Sequence, residues 1–138
     1  MRFLDSNVIV HAFLRPRRNL GEAERQLKAK ARRLVGKIDQ GENVLTSIVH
    51  IAEVANIFGS IDNDYAYELV SRLLTKENIT IMPVGRELYL LALEYARENG
   101  IGINDGVAAI VMKQKMLSQL YSFDHDFDRI AGIVRLEE

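Results

Sequence analysis

At 138 residues and 48% hydrophobic side chains, the chain is long enough to bury one core and too apolar to be a disordered segment. It contains no cysteine, which excludes disulfides, thiolate nucleophiles and thiolate metal sites. The net charge of −1 conceals an asymmetry: residues 1–41 carry +6, residues 42–138 carry −7, and nine of the 18 basic residues fall between Arg15 and Lys37.

Taken in chain order, Phe3 and Leu4 mark a short strand over residues 1–5, followed by a helix over 7–14 that Pro16 ends. Glu22 to Gln40 reads as a long helix with Ala23, Leu27, Ala31, Leu34 and Ile38 inward and the basic residues on its other faces, closed by Gly41. Val44 and Leu45 make a second strand. Thr46 or Ser47 caps the next helix, whose apolar stripe is Ile48, Ile51, Ala52 and Ala55. Asp62 to Thr75 is amphipathic, with Ala66, Leu69, Val70, Leu73 and Leu74 inward. Ile79 to Val84 is a β-branched strand bounded by Asn78 and Gly85. A helix over Arg86 to Asn99 turns Leu90, Leu91, Leu93 and Ala96 inward and stops at Gly100. Asn104 caps a helix to about Met116, Leu120 to Phe123 is a strand, Phe127 to Ala131 a helical turn, and Ile133 to Leu136 the last strand. Strands alternating with helices predict a single-domain, three-layer α/β/α fold around a central, mostly parallel sheet.

No apolar run approaches the ~20 residues of a membrane span, and the first residues lack the charged, apolar and cleavage regions of a signal peptide. With the absence of cysteine, the expectation is a cytoplasmic protein that does not enter a membrane.

Four acids stand at element ends or on inward helix faces. Asp5 closes the first strand, Glu53 sits two turns into the third helix, Asp105 occupies the first turn of an apolar helix, and Asp124 ends a strand. Asp126 and Asp128 follow, and Asp128 is placed for solvent. Singly, each has an ordinary explanation: Asp5 is a preferred N-cap residue, and Asp105 complements a helix dipole. In a parallel sheet, however, the carboxyl ends of the strands share one edge, so these acids are expected to converge. Converging carboxylates repel one another unless a cation sits among them. An oxygen-only donor set without cysteine or a paired histidine favours Mg²⁺ or Mn²⁺ over Zn²⁺. His125 is next to the acids, His50 is read as a packing or surface residue, and His11 carries no signal. Ser6, Asn7, Ser47 and Asn104 are polar neighbours suited to orienting the carboxylates.

The segments Leu-Asp-Ser-Asn-Val-Ile (4–9), Thr-Ser-Ile-Val-His-Ile-Ala-Glu-Val (46–54), Ile-Asn-Asp-Gly-Val-Ala-Ala (103–109) and Tyr-Ser-Phe-Asp-His-Asp-Phe (121–127) resemble, in order and over nearly the whole chain, the PIN domain, the nuclease module of VapC-type toxins. Ser122 stands where the family often has Thr. The resemblance implies one PIN-like nuclease domain over residues 1–138. It implies a Mg²⁺- or Mn²⁺-dependent endoribonuclease acting on RNA, usually dimeric and often neutralised by a small antitoxin. It carries the catalytic and metal-binding roles onto Asp5, Glu53, Asp105 and Asp124, with Asp126 as a further metal ligand.

Three rivals share parts of this pattern. A phosphatase with an aspartyl nucleophile needs a second Asp where Asn7 stands. A receiver-type signalling domain needs a Lys where Asp124 stands. A non-catalytic RNA- or protein-binding module on the same fold is disfavoured by the intact acids. Arg15, Arg17 and Arg18 follow the first helix closely enough to meet RNA phosphates, and Arg25, Lys28, Arg32 and Lys37 extend that track, against the plainer reading of a solvated helix face.

Overall fold

The computed structural model describes all of residues 1–138. Its elements run β1 (Arg2–Leu4), α1 (Ser6–Phe13), α2 (Glu22–Asp39), β2 (Val44–Ser47), α3 (Ile48–Gly59), α4 (Asn63–Thr75), β3 (Ile79–Met82), α5 (Arg86–Asn99), α6 (Ile103–Gln114), β4 (Gln119–Tyr121), a 3-10 helix (His125–Arg129) and β5 (Val134–Leu136). The five strands form one sheet in the order β3-β2-β1-β4-β5, and every pairing is parallel. The expected three-layer α/β/α architecture is therefore present, with a wholly parallel sheet.

Successive side chains of a strand point to opposite faces, and the two cores divide accordingly. Leu4, Val44 and Tyr121 face the layer built from α1 to α4, where they meet Val8, Leu34, Val54 and Leu69. Phe3, Leu45 and Leu120 face α5, α6 and the 3-10 helix, where they meet Ala92, Val107, Met112 and Phe127. β1 lies at the centre, paired on both sides. The chain leaves it for β2 and β3 on one flank, then returns to place β4 and β5 on the other. The strand order thus switches between β1 and β4, and in open α/β sheets sites form at the carboxyl ends of the strands beside such a switch.

Element types and most boundaries follow the sequence expectation, but several helix faces do not. In α3 the buried residues are His50, Ile51, Val54 and Phe58, while Ile48 and Ala52 point outward. In α5, Leu90 and Leu91 are exposed, and Ala92 is buried beside Ala96, which was expected inward. The reason is steric. α5 and α6 approach so closely that a Cβ on Gly106 would lie 2.4 Å from the Ala92 carbonyl oxygen, a gap that leucines on that face would not allow. Leu74 of α4 and Ala23 of α2 are likewise exposed. Gly102, rather than Asn104, is the N-cap of α6. β3 stops at Met82, before Pro83, which has no N–H for a sheet ladder. No helix is long and apolar enough to cross a membrane.

Candidate active site

Asp5 follows β1 directly and is 4% exposed. It occupies the N-cap position of α1, yet its side chain makes no capping bond. The carboxylate instead accepts a hydrogen bond from Ser122 Oγ at 2.6 Å, across the β1–β4 junction. The ordinary helix-cap role therefore does not account for it. Ser122 is fixed in turn: Asn7 Nδ2 donates to its hydroxyl at 3.3 Å, Asn7 Oδ1 accepts from the Phe123 N–H at 3.3 Å, and the Asp124 N–H donates to Ser122 Oγ at 3.0 Å. Two successive loops at the carboxyl edge are thereby tied together around one carboxylate.

Glu53 reaches the same edge from α3. Ser6, one residue after Asp5, donates its hydroxyl to Glu53, and Asn104 Nδ2 of α6 donates to Glu53 Oε2 at 2.7 Å. A half-buried carboxylate at this position needed partners, and two elements supply them. Ser6, Asn7 and Asn104 thus hold or position acids as expected. Ser47 does not: it caps α3 by accepting from the His50 N–H at 3.2 Å, and its hydroxyl lies 2.6 Å from His50 Nδ1.

Asp105 enters from the first turn of α6. Asp124 caps the 3-10 helix by accepting from the Asp126 N–H at 2.9 Å. One carboxylate oxygen each from Asp105, Asp124 and Asp126 lie within 4.8 Å of one another. Asp5, Glu53, Asp105 and Asp124 all line one open cleft of about 550 Å³, together with Asn7, Asn104 and Tyr89. The structure therefore brings the four predicted acids together, with Asp126 at the rim beside two of them. Asp128 points away. It is exposed and bound to Arg135 and His125, and those partners hold its carboxyl below the usual range.

The electrostatics are those of an acid cluster. Burial pushes the Asp5 carboxyl up to about 6, against the Ser122 hydrogen bond and with the help of the Glu53 charge. Burial first, and the charges of Asp5 and Asp124 next, push Asp105 up to about 7. Each repulsion is one that a cation among the oxygens would relieve. The donor set, carboxylate oxygens converging without sulfur, suits a hard divalent cation, so the residues present fit such an ion.

Three contributors escaped the sequence. Ser122 was legible as a polar residue but not as the direct partner of Asp5. Tyr89 reaches the cleft because the face of α5 is turned from the expected one. His50, 1% exposed, packs edge-on against Phe3 at 5.0 Å, and burial lowers its pKa to about 4. The basic stretch is more committed than its composition suggested. Lys28 donates to the carbonyls of His11 and Leu14 at the end of α1, Arg18 pairs with Glu24, Arg25 with Glu22 and Lys30 with Glu137. Arg15 stacks on the Tyr65 ring at 4.5 Å.

A parallel α/β sheet whose switch point gathers carboxylates from four separate segments defines a protein with an acidic cleft at the carboxyl edge of its sheet. The family follows from the sequence: the PIN domain model matches residues 2–133, and the chain belongs to the PIN domain family, generally one of nucleases. Its fold is similar to that of Mycobacterium tuberculosis VapC20, a sarcin–ricin loop cleaving toxin, at 21% identity over 97% of each chain with a TM-score of 0.74. It is also similar to a chain of a toxin–antitoxin complex from Klebsiella pneumoniae, at 13% identity over 97% of this chain and 96% of that one with a TM-score of 0.65. A third similar structure is VapBC2 from Rickettsia felis bound to a DNA fragment from their promoter, at 15% identity, 98% and 96% coverage and a TM-score of 0.67. A comparison with curated proteins gives no match.

Proposed function

We propose that this chain is a Mg²⁺- or Mn²⁺-dependent endoribonuclease, the toxin of a toxin–antitoxin pair, acting in the cytoplasm as one nuclease domain over residues 1–138. The observation that carries the proposal is the convergence of Asp5, Glu53, Asp105 and Asp124, from four separate segments, on one cleft in a member of the PIN family. The similarity to a toxin described as cleaving the sarcin–ricin loop supports RNA as the substrate class. The similarity to a chain of a toxin–antitoxin complex supports a small protein antitoxin.

In this reading Asp5 and Asp105 are the principal metal ligands, and Asp124 and Asp126 complete the shell or hold a second ion. A bound divalent cation supplies a polarised water and neutralises phosphate charge. The chain's own part is to hold the oxygens. Ser122 fixes Asp5, the Asp126 N–H fixes Asp124, and Ser6 with Asn104 fix Glu53, which would hold the ion directly or through water and orient the attacking water. The cleft is open and lies beside the exposed Tyr89, so an extended strand has access. We assign phosphate contacts to Arg15 and Arg17, and a homodimer as the assembled state.

The test is cleavage of single-stranded RNA by purified protein. Cutting that requires Mg²⁺ or Mn²⁺ and stops with chelator is expected. Binding without cutting would instead mark a non-catalytic module. Hydrolysis of phosphomonoesters without RNA cleavage would mark a phosphatase, for which Asn7 is the wrong residue at the second acidic position.

A further inference from the structure

The imidazole of His50 is buried, and its Nε2 has no hydrogen-bond partner in the protein. Such an atom is uncommon in a folded interior, because an unsatisfied buried donor or acceptor costs about 1–3 kcal/mol. Nε2 is also aimed at an acid of the site, lying 3.8 Å from Asp5 Oδ1. The other carboxylate oxygen, Oδ2, is already held by Ser122. The side chain nearest to Oδ1 on the other side is Ser6 at 3.5 Å, whose proton is directed to Glu53. Beside the pair lies a small space of about 10 Å³ lined by Asp5, Ser6, Thr46, His50 and apolar neighbours, close to what one water needs.

The proton on the ring can be placed. Ser47 Oγ accepts from the His50 backbone N–H and has no other acceptor for its own proton than His50 Nδ1, 2.6 Å away. Nδ1 is therefore the acceptor of the ring, and the ring proton is on Nε2, facing Asp5. The edge-on packing against Phe3 holds the ring in that plane.

We infer that His50 is the positioning residue of Asp5: a Ser47–His50 relay at the start of α3 presents Nε2–H to Asp5 Oδ1, through at most one buried water, and fixes the second carboxylate oxygen while Ser122 fixes the first. The inference rests on the metal-site assignment of Asp5. Its consequence is that both oxygens of Asp5 keep their orientation before any cation arrives, which is how groups behind a ligand set its affinity.

Two measurements test it. The first uses the metal-free wild-type protein and long-range nitrogen–proton NMR of the imidazole. A ring protonated on Nε2 at neutral pH, with that proton protected from exchange and its signal displaced in Asp5→Asn, is expected. Protonation on Nδ1, or an Nε2–H signal indifferent to Asp5→Asn, overturns the relay. The second is titration with Mn²⁺ by calorimetry of wild type, His50→Gln and His50→Phe. Gln can place its amide N–H where Nε2–H stood, whereas Phe keeps the volume and removes the donor. His50→Phe is expected to weaken Mn²⁺ binding about 10-fold or more, with His50→Gln recovering most of the loss. Equal affinities in all three proteins overturn the proposal. If the wild-type protein itself binds no Mn²⁺, the metal-dependent ribonuclease reading fails, while the imidazole spectrum still decides whether His50 holds Asp5. Should His50→Phe not fold, the affinity of His50→Gln and the wild-type spectrum decide between the outcomes.

Discussion

Asp5 is a carboxylate placed where burial opposes its charge, and this has a measurable consequence in the absence of metal. Its pKa is raised from 3.8 to about 6 on folding, and that of Asp105 from 3.8 to about 7. A group whose folded pKa is raised adds stability that is present below the unfolded value and is lost as pH rises through the folded value. The metal-free protein is therefore expected to lose melting temperature between about pH 4 and pH 7, the two carboxyls outweighing the opposite contribution of His50, whose pKa is lowered from 6.5 to about 4, and added Mg²⁺ or Mn²⁺ should restore part of it at the upper end. Differential scanning calorimetry with and without chelator measures both arms; a melting point that rises across this window would contradict the assignment. Asp5→Asn keeps the shape and can still accept from Ser122. It should lower RNA cleavage by at least about 100-fold and raise stability in chelator at pH 7.5 by on the order of 1–2 kcal/mol. Wild-type cleavage in this variant would remove Asp5 from the site. The acids were legible because each sits where a strand ends or a helix begins. His50 was not, since its burial depends on how α3 is rotated, which spacing alone leaves open.

At the scale of elements, the α5–α6 contact sets where Asp105 stands. Gly106 is the next residue, and its missing side chain lets the Ala92 carbonyl approach. Gly106→Ala should destabilise the protein by about 1–3 kcal/mol through overpacking. It should also weaken Mn²⁺ affinity, because relief of the clash moves the first turn of α6. Thermal melts and metal titration of this variant against Gly36→Ala, where a Cβ meets nothing within 4 Å, separate the packing effect from a general glycine effect. Element order and type could be read from apolar periodicity and from Gly41, Gly85 and Gly100, whereas Pro83, which ends β3 early, falls inside the strand expected to run to Val84. Helix faces could not always be. In α5 the sequence offers leucines at 90, 91 and 93 beside Ala92, and only the tight neighbour decides that Ala92 goes inward with Ala96 while Leu90 and Leu91 stay outside.

At the scale of the whole molecule, α5 is left with an outward apolar face. Tyr89, Leu90 and Leu91 are 40%, 54% and 53% exposed, a feature consistent with the proposed dimer. Light scattering at micromolar concentration should give twice the 15.7 kDa protomer mass, and a protomer-sized species alone would argue against dimerisation. The basic segment invites a separate measurement. Neutralising Arg15 and Arg17 together should weaken RNA binding without altering the sequence cut, and should reduce the slope of log affinity against log salt by about 1.4 for single-stranded RNA. An unchanged slope would make them surface charges only. The charge asymmetry was plain in the sequence, but its distribution was not wholly so, because the pairing of Lys30 with Glu137 becomes visible only when the last segment is brought against α2.

The tie between Asp5 and Ser122 spans 117 positions of chain, and β4, which carries the far end, is the neighbour of the first strand. During synthesis the amino-terminal part of a chain emerges and begins to fold first. Until residues 119–136 leave the ribosome, β1 has an open edge, Asp5 lacks its serine, and Asp124 and Asp126 are absent from the cleft. The acid cluster is therefore assembled only after the segment 119–136 has joined the sheet.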